Sequence, residues 1–226
     1  AIYGAKLAPE IPLTSVTTAT GDISFGKSSE MSGDFVASEN ALARSNPDEI
    51  EQSTGRIFEG ETLNSMIIAS TNLNHFHPIC QVEYAKHHQQ AMQRAAAKDR
   101  AGAIRAESFA SHFLQDTFAA GHMAPRALDR LAEGSNRVSE GLDGYSRTMT
   151  FHDRLNALAN GIPTNRRYRV HGDKTATTDD LEICAEATAK SLSEVLGVLG
   201  SVPMPVANLQ FPVPDIESIL SEEQAG

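Results

Sequence analysis

Apolar positions recur at helical spacing through much of the chain, and the strict alternation of a half-buried strand is nearly absent. The pattern predicts long helices at about Ile79–Lys98, Ala103–Ala120 and Asp179–Leu199, with shorter ones at Glu61–Asn72 and Arg126–Ala132 and a short element near Asp48–Phe58. In the second long helix Ile104, Phe109, Phe113, Leu114 and Phe118 form the stripe of a buried helix. Thr and Asp before residue 179 cap the last long helix, and Gly200 with Pro203 ends it. Residues 1–33 carry little periodicity and are expected to be irregular, with 1–23 loosely ordered. A polar loop is expected to reach Ser146, a turn-rich stretch Asn160–Thr178 to hold a hairpin near Tyr168–His171, and residues 204–226 to form a loose tail. No repeat is visible. The fold expected is a mainly α, single-domain helical bundle with long irregular loops, its helices directing polar side chains inward.

One segment of that helical pattern carries chemistry. Ser111–His122 reads S-H-F-L-Q-D-T-F-A-A-G-H. In a helix, His112 and Asp116 lie one turn apart on one face and can grip one ion together. Gly121 marks the expected helix end, where the chain can turn His122 back as a third donor. Imidazole, carboxylate and imidazole suit a borderline-soft divalent cation such as zinc. His112 and Asp116 alone would more simply be one buried histidine and an exposed acid. The third histidine, with N-H-F-H-P (Asn74–Pro78) and F-H-D-R-L-N (Phe151–Asn156), favours a ligand set. Of the eight histidines, His87 and His88 are expected at the edge of the core or in solvent, and His77 and His171 have no assigned role. Phe76, Phe113 and Phe118 read as core, and Tyr145, Arg147 and Arg154 as surface.

Charge and cysteine content narrow the chemistry. The 226 residues carry a formal charge of −10, with a pI of about 5.2, which lacks the general electrostatic footprint for nucleic acid or an anionic membrane. A phosphate substrate would need local neutralisation, which bound divalent cations provide. No run approaches the roughly 20 apolar residues of a spanning helix, so no transmembrane segment is expected. Cys80 and Cys184, with no C-x-x-C, argue against a zinc–thiolate site and leave a disulfide open. The sequence begins at Ala1 without methionine or a signal-peptide pattern, as a processed secreted protein or a trimmed fragment would. A secreted or periplasmic location is the expectation.

With these motifs in order, the chain resembles the zinc-dependent phospholipase C family, which is related to single-strand-specific zinc nucleases. The likeness is nearest to a bacterial branch with H-F-L-T-D-x-F-x-A-G-H, here His112–His122 with Gln115 for threonine. That branch's D-H-F-x-P appears as N-H-F-H-P, with Asn74 for the acid. Its third motif runs from His152-Asp153 to Asn156, then in degenerate form through Asn165, Tyr168 and His171-Gly172-Asp173. Phe25–Phe35 looks like a segment ending in G-D-F, which makes Asp34 a candidate. The resemblance spans roughly Ser24 to Leu199.

Carried over residue by residue, it implies one zinc between Asp34, His75, His112 and Asp116, with Glu61 competing for the place of Asp34. A second would be held by His122 and His152, completed by Asn156 or Asp153; better-known members have glutamate at the position of Asn156. The family's third zinc uses a tryptophan carbonyl, and this chain has no tryptophan, so the cofactor expectation is two or three Zn²⁺ ions. Asp34 and Asp116 are the candidates to orient or deprotonate a water. The implied activity is hydrolysis of phosphatidylcholine-like or phosphatidylethanolamine-like phospholipid to diacylglycerol and a phosphorylated headgroup, with peripheral membrane contact. The alternatives are a zinc nuclease, against which stand the acidic charge and scarce stacking aromatics, with no stable nucleic-acid binding expected, and a metal-stabilised binding module without turnover.

Overall fold

A computed structural model describes residues 15–34, 38–45, 73–125, 141–165, 168–172, 174–200 and 211–225, without the side chains of 33–34, 141–147 and 223–225. Among the described residues the fold is mainly helical, 67% helix with two small sheets, as the hydrophobic pattern implies. The expected elements at Asp48–Phe58, Glu61–Asn72 and Arg126–Ala132 lie outside the described residues.

The organising element is a helix pair. Helix α3 (Ile79–Ala96) runs into α4 (Arg100–Asp116) through a tight connection, and the two pack along their length. Lys98 takes a left-handed φ of 62° in that connection, and Asp99 caps α4 by accepting from the Gly102 N–H at 3.0 Å. Every residue of α4 from Gly102 to Gln115 except Arg105 is buried, most of them small or apolar, with Glu107, His112 and Gln115 buried among them. A helix buried on all sides belongs at the centre of a bundle. Helices α1 (Phe25–Asp34) and α2 (Glu39–Arg44) and the long α7 (Thr178–Val198) pack round it. Thr177 and Asp180 form a reciprocal capping box at the start of α7.

Four expectations need correction. Residues 16–34 are ordered: β1 (Val16–Thr18) and β2 (Gly21–Ile23) form an antiparallel hairpin leading into α1, and Val16 is wholly buried. Helix α4 stops at Asp116, where the Thr117 hydroxyl donates to the Leu114 carbonyl at 2.6 Å, and a separate short helix α5 (Ala120–Met123) follows. The polar loop expected to Ser146 gives way at Gly141 to α6 (Gly141–Asn156), which carries the third histidine motif. The tail is also not loose throughout. Helix α8 (Ile216–Ala225) buries Ile219 to 2% exposure against β3 (Ile162–Pro163), which pairs with β4 (Arg169–Val170). In the β1–β2 hairpin and in α8, a few apolar residues too sparse to show a period are held by tertiary contact.

Two of the four clusters among the described core residues flank the junction described below. One surrounds α4 with Met31, Leu42, Tyr84, Phe109, Phe113 and Leu114, and the other joins Met123, Leu155, Ile162, Val170 and Ile219 under the β3–β4 hairpin. Phe76, Phe113 and Phe118 are core, as expected. Cys80 and Cys184 are buried free thiols, not a disulfide. Among the described residues no helix is long and apolar enough to cross a membrane.

Candidate metal centre

The end of α4, the short helix α5, the end of α6 and a 3₁₀ turn (Leu73–His75) meet at the seam between the two clusters. Backbone hydrogen bonds hold the junction: the His77 N–H donates to the His122 carbonyl at 2.9 Å, and the Ala120 N–H to the His171 carbonyl at 3.1 Å. Breaking the helix after Asp116 lets α5 turn, and the His122 side chain comes back over the end of α4.

Asp116 is the centre of the group. One carboxylate oxygen lies 2.7 Å from His75 Nδ1 and the other 3.1 Å from His122 Nδ1. Burial pushes this carboxyl up, but His122 and His75 beside it more than reverse the effect, and its pKa lies well below the usual range. An ionised carboxylate accepts only, so His75 Nδ1 is the donor. The His112 ring lies 5.1 Å from that of His75, centre to centre. Burial, then the neighbouring His75, hold its pKa well below the ordinary value, so it is neutral. His112 Nδ1 is buried without a hydrogen bond of sound geometry, the Phe109 carbonyl one turn back giving only partial compensation.

The row of imidazoles continues. The rings of His122 and His152 are 5.0 Å apart, and Phe76 stands edge-on to both. His152 is oriented from both sides: its Nδ1 lies 3.0 Å from Asp153 Oδ1, and the Asn156 amide donates to its Nε2 at 3.1 Å. Asn156 is itself clamped, its Oδ1 accepting from the Gly121 N–H at 3.0 Å. The clamp explains two glycines. A Cβ at Gly121 would fall 2.4 Å from Asn156 Oδ1, and one at Gly172 2.2 Å from Asn156 Cα. Only glycine permits that approach.

Of the residues chosen from sequence, His75, His112, Asp116, His122, His152 and Asn156 are thus brought to one place. Asn156 serves there as an orienting amide, with its oxygen already accepting one bond. Asp34 ends α1, but its side chain, like Glu61, lies outside the described residues. Sequence reasoning missed the glycine clamp, for which G-H and H-G-D were the available signals.

Among the described residues no group of three His, Cys, Asp or Glu side chains encloses an ion as it stands. His75 and Asp116, and His122 and Asp116, are at hydrogen-bond distance, whereas two donors on one tetrahedral zinc stand roughly 3.3 Å apart. The donor set nevertheless fits a cation: a neutral buried imidazole without a sound hydrogen bond, an ionised carboxylate, and further imidazoles around it. Comparisons with protein-family models, with curated proteins and with solved structures found no match.

Proposed function

We propose that this centre holds a divalent cation, zinc by the chemistry of its donors, and that the chain is a zinc-dependent phosphodiesterase acting on phospholipids. The observation that carries the reading is Asp116, an ionised carboxylate set between His75 and His122 with neutral His112 behind it. His75, His112, Asp116, His122 and His152 would hold the metal, with Asp34 a further candidate. Bound there, zinc would supply an activated water and offset charge gathering on the phosphoryl oxygens. The protein's own part is positioning. Asp116 fixes two imidazoles, Asn156 and Asp153 fix a third, and Phe76 limits water on one side. Phosphatidylcholine-like or phosphatidylethanolamine-like lipids are the proposed substrates, at a peripheral membrane contact by a secreted or periplasmic protein.

A second reading rests on Asn156. An amide whose oxygen is already bonded to the Gly121 N–H cannot act as a base, so a metal-stabilised binding module without turnover is the alternative. Elemental analysis, headgroup release from both lipids and cleavage of single-stranded DNA separate these readings and the nuclease one. The expected result is at least one zinc per chain with headgroup release. Stripping the metal should also lower unfolding free energy by about 3 kcal/mol if the ion was present near a hundredfold above its dissociation constant. Absence of bound metal would overturn both readings; metal without release would favour the binding module.

A further inference from the structure

A cavity of about 900 Å³ opens where the end of α6, the β3–β4 hairpin and α8 meet. That volume lies within the range of small-ligand pockets. Leu158, Ile162, Pro163 and Ile219 give it an apolar surface, and Arg154, Arg169 and His171 add cationic or protonatable groups. None of these residues belongs to the proposed metal ligands.

Arg169 is fixed in place by the backbone. Its Nε donates to the Asn160 carbonyl and its Nη2 to the Gly161 carbonyl at 2.9 Å, which sets the plane of the guanidinium. Nη1 and Nη2 then donate to the two carboxylate oxygens of Glu222 at 2.8 and 2.7 Å, a paired fork on a planar anion. His171 is fixed as well. Its Nδ1 donates to Asp180 at 2.9 Å, and buried Asp180 also accepts from the Thr177 N–H at 2.8 Å.

Glu222 is placed as an anionic ligand would be, and it is open to solvent. Its side chain is 53% exposed, so water and salt screen the pair and an incoming anion can reach the guanidinium. The anchors of α8 lie nearer its start: Ile219 is buried, and the Asp215 N–H donates to the Pro163 carbonyl at 3.0 Å. The carboxylate can therefore be exchanged without undocking the helix.

We infer that this cavity binds a single-chain amphipathic anion, whose carboxylate or phosphate head replaces Glu222 on Arg169 and whose aliphatic tail lies on the half-buried Leu158 and Pro163, above the core residues Ile162 and Ile219. Glu222 acts as an internal competitor for the guanidinium. The inference is independent of the metal centre.

Titration calorimetry on the full chain tests it with octyl phosphate and octanoate, using inorganic phosphate as the head alone and octyl glucoside as an uncharged amphiphile. One or both amphipathic anions should bind at a single site, and whichever binds identifies the head. Both controls should bind at least about tenfold more weakly. Glu222→Gln, a surface change that leaves the core intact, should tighten binding about threefold, and Arg169→Met should weaken it about tenfold. No binding by either anion, equal binding of a control, or indifference to Glu222→Gln would overturn the inference. Indifference would also place the anion elsewhere, including at a metal.

Discussion

Two histidine–carboxylate groups each take a carboxylate from α4, and they are built on opposite principles. At the end of α4, one ionised carboxylate, Asp116, serves His75 and His122, with His112 and His152 beyond them. In the middle of α4, one imidazole serves two carboxylates. His88 donates from Nδ1 to Glu107 at 2.8 Å and from Nε2 to Glu194 at 3.2 Å. With a carboxylate on each nitrogen the ring is an imidazolium. Ser191 donates to the other Glu107 oxygen, and the Tyr84 hydroxyl donates to Ser191 at 2.7 Å. The inner group contains its own cation and leaves none of these side-chain atoms unpartnered. The outer group leaves the buried His112 Nδ1 without a sound hydrogen bond. A saturated buried network fixes packing, whereas an unsaturated one at a seam between clusters suits a ligand.

Substitutions can break this contrast from either side. The largest effect expected is His112→Ala or Asp116→Asn, which should remove bound zinc and headgroup release together; elemental analysis and the lipid assay check it. Retention of full zinc and turnover by His112→Ala would refute the assignment. Next in size is Glu107→Ala. It leaves the His88 charge with one partner and opens a void at a position with 0% exposure. Breaking a buried pair costs about 3–5 kcal/mol, measurable by urea denaturation, and metal content per folded chain should not change. Loss of metal from folded Glu107→Ala would mean that the two groups are one.

The contrast was only half legible in the sequence. Three short motifs named the outer histidines because helical spacing and the G-H pair sit close together in the chain. The break after Asp116 was not legible, since Thr117, Phe118 and Ala119 continue the apolar pattern while α5 is held by tertiary bonds. The inner group was missed for a related reason. His88, Glu107 and Ser191 come from three helices and are 19 to 103 residues apart, so no local period links them. His88 was expected at the core edge or in solvent, and its significance comes wholly from partners the fold supplies. Helix α8 was hidden because Ile219 is the one fully buried residue the tail gives its cluster, with Ile216 and Leu220 only partly buried against it.

A smaller effect sharpens the inner half through pH. Burial lowers the pKa of His88, but its hydrogen bond to Glu107 and the charges of Glu107 and Glu194 outweigh this, leaving the net shift upward. A raised folded pKa stabilises the fold fully below the unfolded value of about 6.5, and that contribution disappears as pH rises through the folded value. Stability should therefore fall from mildly acid towards mildly alkaline pH. His88→Gln should cost about 2 kcal/mol at pH 6, in keeping with a hydrogen bond to a charged group, and should flatten the slope in denaturation curves taken from pH 6 to 9. An unchanged slope would show that His88 is neutral in the fold.

The smallest effect concerns His87, which stands between the two groups without joining either. Its ring stacks on Phe113 at 5.6 Å and meets Phe109 edge-on at 4.8 Å, and burial followed by Lys86 lowers its pKa. Glu83 lies 3.6 Å away, a distance too long for a firm hydrogen bond. A half-buried neutral imidazole packed on two phenyl rings is here a piece of the core wall. His87→Ala should cost about 1 kcal/mol of stability from lost ring contacts and leave zinc content and headgroup release as they were. Zinc loss comparable to that of His112→Ala would draw His87 into the outer group and move its boundary a turn deeper into the bundle.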